Sequence, residues 1–174
     1  MSRYRRIAPL GASHFFTLCL AQRGQTLLTD DVSRLRQAYT AVLQNNPVQT
    51  DAIVILPDHL HAVWTLPEGD ADFPTRWRLI KTAFSKGYAV SDLASQSKLK
   101  RGEKGIWQRR YWHHLIRNDA DLAAHIAYCW GNPVKHGLVE KAVDWPYSSL
   151  RRDIRLGKIS PDWAGGQSEG NFGE

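Results

Sequence analysis

Cysteine is scarce in this 174-residue chain, which has only Cys19 and Cys129. The two residues are far apart, match no Cys-x-x-Cys metal or redox spacing, and each lies within an apolar stretch where a buried thiol is ordinary. A chain of this length can bury its own core without disulfides. We therefore expect a protein of the reducing cytoplasm.

Long apolar runs are absent as well. No stretch of about eighteen apolar residues occurs, and the start, MSRYRRIAPLG, lacks the apolar core of a signal peptide. We therefore expect a protein that neither spans a membrane nor is exported. The length predicts one domain over residues 1–160, and the polar, Gly-rich segment 161–174 is predicted to be disordered.

Acidic residues are outnumbered by basic ones, which gives a formal net charge of +6. Three clusters carry the excess: Arg3, Arg5 and Arg6; Lys98, Lys100, Arg101, Lys104, Arg109 and Arg110; and Arg151, Arg152, Arg155 and Lys158. Basic proteins gain affinity for nucleic acid by neutralising phosphates and releasing their counterions. The excess of positive charge indicates a polyanionic partner, although any one cluster is equally compatible with a solvated surface.

The spacing of apolar residues and breakers predicts an alternation of strands and helices. Strands are predicted at 14–22, 51–56, 59–66 and 106–117, helices at 31–43, 75–90 and 119–131, and a loop at 91–105. The order β-α-β-β-α-β followed by a helix is the signature of a ferredoxin-like α+β sandwich. Such a fold has an antiparallel sheet with two helices on one face and its other face open for a site.

A pair of histidines lies on the third predicted strand. Because residues two apart on a strand point the same way, His59 and His61 should project together, opposite Leu60, Ala62 and Trp64. The apolar side would cover the helices, so we expect the histidines to face outward. Adjacent imidazoles are good ligands for a divalent metal, but the pattern alone is also compatible with ordinary surface or cross-strand histidines.

The last predicted helix carries a tyrosine and an asparagine one turn apart. Leu122, Ile126 and Cys129 form its apolar stripe, and Tyr128 lies about 200° around the helix from Ile126. Tyr128 is therefore predicted to point away from the core, and Asn132 would follow it on the same face. The alternative is an amphipathic tyrosine at a surface boundary.

A resemblance to a known family is carried by four segments, PDHLHAVW, WQRRYWHHLIR, YCWGNPVKHGLV and DWPYSS. Their order and spacing resemble the REP-associated tyrosine transposases, which are single-tyrosine HUH endonucleases, over residues 4–150. One difference is that Cys129, Trp130 and Gly131 stand where the family often has Ile-His-x before Asn-Pro.

The resemblance implies a function and a site. Tyr128 would attack a phosphate of single-stranded DNA, leaving a 5′-phosphotyrosine that another 3′-hydroxyl can reverse. His59, His61 and Asn132 would hold Mg²⁺ or Mn²⁺ against that phosphate. The implied partners are hairpins of repetitive extragenic palindromes, bound by a monomer or homodimer at the nucleoid of a bacterial cytoplasm.

The DNA-binding surface is predicted partly from the resemblance and partly from charge. The opening Tyr4, Arg5 and Arg6 is similar to the family's own opening, and Arg109 and Arg110 lie in the central basic cluster. Two further expectations concern side chains nearby. Trp107 and Trp112 are candidates for stacking on unpaired bases, and His125 is a candidate base for Tyr128.

Two other classes of protein can carry a histidine pair of this kind. A metal hydrolase of the amidohydrolase type needs an eight-stranded barrel of about 250 residues, which this chain is too short to form. A non-catalytic nucleic-acid-binding module on a ferredoxin-like fold stays open as the alternative. In such a module the histidines and Tyr128 would only contact bases.

Overall fold

The chain forms the predicted alternation of strands and helices in a computed structural model that describes residues 9–91 and 94–164. The strands are β1 (Ser13–Cys19), β2 (Gln49–Ile55), β3 (His59–Thr65) and β4 (Trp112–Leu115). The helices are α1 (Leu27–Asp30), α2 (Val32–Asn45), α3 (Phe73–Ser85), α4 (Gln96–Leu99), α5 (Asp119–Lys135), a 3-10 turn at Ala142–Asp144, and α6 (Leu150–Arg155). Tyr4, Arg5, Arg6 and residues 165–174 lie outside the described residues.

The four strands form one antiparallel sheet in the order β2-β3-β1-β4. With α2 between β1 and β2 and α3 between β3 and β4, this is the ferredoxin-like arrangement, so the predicted fold class is confirmed. Strand β1 lies next to β3, with Cys19 opposite His59 and Thr17 opposite His61. The histidine pair therefore lies on a central strand, flanked by β1.

The elements differ from the prediction in several places. Helix α3 ends at Ser85, a short helix occupies Gln96–Leu99 within the predicted loop, and α5 continues to Lys135 with Pro133 inside it. Strand β4 is only four residues long. The segment before it still joins the sheet, because the Gln108 amide donates to the Cys19 carbonyl at 3.0 Å.

One face of the sheet packs against α2 and α3 through an aromatic core. Trp64 of β3 stacks on Trp77 of α3 with ring centroids 3.9 Å apart, and Phe16 packs edge-on against both. Leu60 and Ala62 lie in the same buried cluster. This confirms the predicted alternation of β3, whose apolar side chains face the two helices.

The second face of the sheet is covered rather than open, so that expectation is wrong. Helix α5 packs across it, burying Phe15 and Val54 of the sheet with Cys129 and Trp130 of the helix. Trp163 then packs edge-on against Trp130 at 5.5 Å. Trp163, which belongs to the segment predicted to be disordered, thus joins this layer. Within the described residues, no helix is both long and apolar enough to cross a bilayer.

Candidate active site

The two histidines of β3 lie side by side on the sheet face that α5 covers. Their ring centroids are 5.1 Å apart and the rings meet edge to face. The shared face is as predicted. The expectation that they face outward is wrong, because His59 is 3% exposed and His61 is fully buried beneath α5.

Each imidazole is oriented by a hydrogen bond at Nδ1. His59 Nδ1 lies 2.6 Å from Asp58 Oδ1, and His61 Nδ1 lies 2.9 Å from the Thr17 hydroxyl. Such bonds fix the tautomer of a metal-binding histidine and make Nε2 the nitrogen through which it coordinates. Burial lowers the pKa of His59, although the hydrogen bond that its Nδ1–H donates to Asp58 opposes the shift. His59 is therefore neutral at neutral pH, the form that a metal ion requires.

Tyr128 packs against these histidines. Its ring centroid lies 5.2 Å from that of His61 and 5.9 Å from that of Phe15, both edge-on, and the residue is 6% exposed. The prediction that Tyr128 points away from the core is therefore wrong. The side of α5 that faces the sheet carries His125, Tyr128, Cys129 and Asn132, which follow the i, i+3, i+4, i+7 pattern of one helix face.

Asn132 and Lys135 extend this face of α5 toward the end of the helix. Asn132 is 1% exposed and lies one turn beyond Tyr128, so Pro133 does not interrupt the helix before it. The Lys135 ammonium group donates a hydrogen bond of 3.1 Å to the Tyr128 hydroxyl and lies 4.9 Å from its ring centroid. His136, which follows, places its ring 5.1 Å from that of His59.

The predicted DNA-contacting residues are only partly described. Arg109 and Arg110 are exposed in the segment before β4, and Arg109 pairs with Glu103 at 3.2 Å. The Lys81 ammonium group donates to the Gln108 carbonyl at 2.6 Å, which anchors this segment to α3. Tyr4, Arg5 and Arg6 lie outside the described residues.

The two tryptophans suggested for base stacking lie in different surroundings. Trp107 is 7% exposed and packs edge-on against Phe84, so its side chain is part of the core and that suggestion is wrong. Trp112 is half-buried, packed against Phe15 and parallel to the His114 ring. His125, suggested as a base, has its Nδ1 2.8 Å from the Asp121 backbone carbonyl.

Comparison with known proteins gives close, full-length relatives. A REP-associated tyrosine transposase of Haemophilus influenzae is 44% identical over 166 residues, which cover 95% of this chain and 94% of the relative. This chain belongs to the REP-associated tyrosine transposase family. The Escherichia coli K12 member is 42% identical over 174 residues, covering 100% of this chain and 98% of its own.

A solved structure of a family member bound to a REP hairpin is also similar to this chain. It superimposes with a TM-score of 0.86 at 42% identity, covering 100% of this chain and 98% of that chain. No protein-family model matches the sequence. The fold described above is therefore that of a REP-associated tyrosine transposase.

Within this family member, sequence reasoning missed the residues that support the predicted site. Asp58 directly precedes the histidine pair, and Thr17 comes from the neighbouring strand. Lys135 follows Tyr128 by seven residues, a spacing that returns to the same face of a helix after two turns. That spacing is visible in YCWGNPVK, whereas the contact of Thr17 with His61 depends on the pairing of two strands 44 residues apart.

Proposed function

We propose that this chain cuts and rejoins single-stranded DNA at hairpins of repetitive palindromes, with Tyr128 as the nucleophile. The observation that carries the proposal is the packing of Tyr128 against His61, with ring centroids 5.2 Å apart, while the Lys135 ammonium group donates a hydrogen bond to the Tyr128 hydroxyl. The family supports it, since a relative with a TM-score of 0.86 is solved with a REP hairpin bound.

The histidines fit a divalent metal ion. Both Nδ1 atoms are held by oxygen partners, which makes Nε2 of each ring the coordinating nitrogen, and burial favours the neutral form of His59. We assign His59, His61 and the amide oxygen of Asn132 as the residues that would hold Mn²⁺ or Mg²⁺, the imidazoles favouring Mn²⁺ of the two. When bound, the ion supplies Lewis-acid stabilisation of charge on the scissile phosphate.

Lys135 prepares Tyr128 for attack. A phenol is a weak nucleophile at neutral pH, and a cation at hydrogen-bonding distance stabilises negative charge on its oxygen. As the Tyr128 oxygen loses its proton and bonds to phosphorus, the bond from phosphorus to the 3′ oxygen breaks, and that oxygen takes up a proton. The product is a 5′-phosphotyrosine and a 3′-hydroxyl.

Rejoining is the reverse of cutting. A second 3′-hydroxyl attacks the phosphotyrosine, loses its proton and returns Tyr128 as a phenol, so no external energy source is needed. One tyrosine carries one strand at a time. The chemistry therefore favours strand transfer over degradation.

We assign to the segment from Gln108 to Arg110 a role in guiding the DNA strand. The Gln108 amide bonds to the Cys19 carbonyl, and Cys19 pairs with His59 across β1 and β3. The exposed Arg109 and Arg110 directly follow Gln108. Gln108 adjoins β1, the strand next to the one that carries the histidine pair. Basic side chains there can bind phosphates on both sides of the cleavage point.

The experiment that tests the proposal is formation of a covalent adduct. Wild-type protein, end-labelled single-stranded hairpin and Mn²⁺ should give a protein–DNA band on denaturing electrophoresis. Tyr128→Phe should fold, bind the hairpin and give no band, because only the attacking oxygen is removed. Tyr111→Phe, on the chain just before β4, is the control and should keep the band.

Two results would count against the proposal. An adduct formed by Tyr128→Phe would move the nucleophile elsewhere. Hairpin binding without any adduct in the wild type would favour the non-catalytic binding module instead.

A further inference from the structure

A second cluster of metal-ligating side chains lies next to the proposed active site but takes no part in it. His114 belongs to β4, while Asp121 and His125 are one turn apart on α5. His114 Nε2 lies 2.9 Å from Asp121 Oδ2, and His125 Nδ1 lies 3.1 Å from Asp121 Oδ1. One ligand atom from each residue lies within 4.8 Å of the other two.

The surroundings of the cluster suit a bound cation. The side chains of Asp121 and His125 are 8% and 6% exposed, and that of His114 is 26% exposed, so the cluster opens to solvent on the His114 side. The Trp112 ring lies parallel to His114, and Phe15 packs against His125 at 4.8 Å. A polar group of ligands within apolar walls is the usual construction of a metal site.

The protonation states also fit. Burial lowers the pKa of His125, which keeps its imidazole neutral at neutral pH. Burial raises the pKa of the Asp121 carboxyl, but hydrogen bonds from His114 and Arg117 outweigh it and hold that pKa well below the usual range. A neutral imidazole and an ionised carboxylate are the forms that bind metal ions.

We propose that His114, Asp121 and His125 bind a transition-metal cation of the Zn²⁺ class. Two imidazole nitrogens and one carboxylate oxygen form a ligand set that zinc takes in proteins, with a fourth position open to water. The Arg117 guanidinium group, 3.0 Å from Asp121 Oδ2, has an exposed side chain and can turn toward solvent when a cation replaces it.

A cation at this site would link α5 to the sheet. A cation bound there would join β4 to the first turns of α5. His125 lies three residues before Tyr128 on the side of the helix that faces the sheet. The ion would therefore hold in place the helix that presents the tyrosine. It is distinct from the ion assigned to His59 and His61, so either assignment can fail without the other.

The test uses a His59→Ala/His61→Ala protein, which lacks the imidazole pair of β3, and Zn²⁺ and Co²⁺ as probes. After dialysis against Zn²⁺ this protein should retain about one ion per chain, melt at a higher temperature than without metal, and give visible Co²⁺ absorption bands. Adding His114→Gln or Asp121→Asn should weaken Zn²⁺ binding by roughly tenfold or more and remove the bands.

His113→Gln is the matched control, since it removes the adjacent histidine of β4. His113 faces the opposite side of the sheet, where its ring stacks on Phe73 at 4.7 Å. Zn²⁺ binding should survive this change. Failure of the parent protein to bind Zn²⁺, undiminished binding after His114→Gln, or equal loss after His113→Gln would each overturn the proposal.

If the parent protein does not fold, the same comparison is made in the otherwise unchanged chain. The wild type should then bind one more Zn²⁺ ion than His114→Gln does. Equal ion counts for the two proteins would overturn the proposal.

Discussion

The Lys135 ammonium group approaches the Tyr128 hydroxyl to 3.1 Å, so in the proposed mechanism attack at neutral pH should depend on its charge. Lys135→Met keeps an unbranched side chain and removes the charge. Because the phenolate then loses its neighbouring cation, we expect adduct formation at neutral pH to slow by roughly a hundredfold. The deficit should shrink as the pH rises and hydroxide ionises the phenol. The measurement is the rate of adduct formation against pH.

Two further variants separate charge from packing at this position. Lys135→Arg keeps a cation near the hydroxyl and should recover part of the rate, whereas a purely structural role would give no such recovery. Lys141→Met, at an exposed lysine beyond α5, should leave the rate unchanged. A Lys135→Met protein that reacts at the wild-type rate near neutral pH would contradict the assignment.

The buried face of β3 could be predicted from its own sequence, whereas that of α5 could be predicted only in part. On β3 the alternation of His59 and His61 with Leu60 and Ala62 was predicted correctly, because a period of two leaves only two faces. On α5 the apolar stripe gave a buried face that was too narrow. His125 is buried although it is polar, because Asp121 binds its ring nitrogen. A buried face located from apolar residues alone does not include such a residue.

Gly131, in the last turns of α5, limits the stability of that helix. Gly131 is helical, and a Cβ added there would have no atom within 4 Å of it. Gly131→Ala should therefore raise the free energy of unfolding by about 1 kcal/mol, since alanine restricts the unfolded chain and favours the helix. Urea unfolding monitored by circular dichroism measures the change.

Gly105→Ala is the opposite case and serves as the comparison. Gly105 has φ +77°, and a Cβ there would lie 2.8 Å from the Ala94 Cβ. Alanine should lower the free energy of unfolding by roughly 2 kcal/mol, because it combines a left-handed backbone with a clash. If both substitutions destabilised the protein equally, the helical geometry assigned to Gly131 would be wrong.

The ferredoxin-like order of strands and helices followed from the sequence, but the covering of the second sheet face did not. That layer is assembled from distant segments: Trp130 donates to the Ser149 hydroxyl at 3.0 Å, Trp145 donates to the Ile55 carbonyl at 2.9 Å, and Trp163 packs on Trp130. No local period brings these residues together. Sequence reasoning therefore located the histidine pair on β3 but missed the layer of helix and tryptophans that covers it.

Stability should fall in mild acid because histidines are buried neutral. Burial lowers the pKa of His14 from 6.5 to about 4. Above pH 6.5 both folded and unfolded chains are neutral at this position and its contribution to stability is complete. As the pH falls toward 4, the unfolded chain takes up the proton first, which lowers the free energy of unfolding by up to about 3 kcal/mol. Urea unfolding between these pH values measures the loss.

His14→Phe tests how much of that loss belongs to His14. The ring contacts with Phe16 and Phe73 can be kept, whereas the titrating group and its 2.9 Å hydrogen bond with His113 are removed. The variant should lose less stability than the wild type between pH 6.5 and 4. An unchanged pH dependence would assign the effect to His59 and His125, two other histidines whose pKa is lowered by burial.

The net charge of +6 bears on how the whole molecule meets DNA. Each phosphate contact releases counterions, so hairpin affinity should fall steeply with salt. Reversing the exposed Arg109 and Arg110 to Glu should weaken binding and reduce the slope of log affinity against log salt by about 2, one for each lost contact.

Reversing Arg34 and Arg36, which are exposed on α2 across the sheet from α5, changes the net charge equally. This control should leave the slope near that of the wild type, since only contacting cations release counterions. Anisotropy of a labelled hairpin over a salt series gives both slopes. An equal change in the two proteins would mean that overall charge, rather than the segment containing Arg109 and Arg110, attracts the DNA.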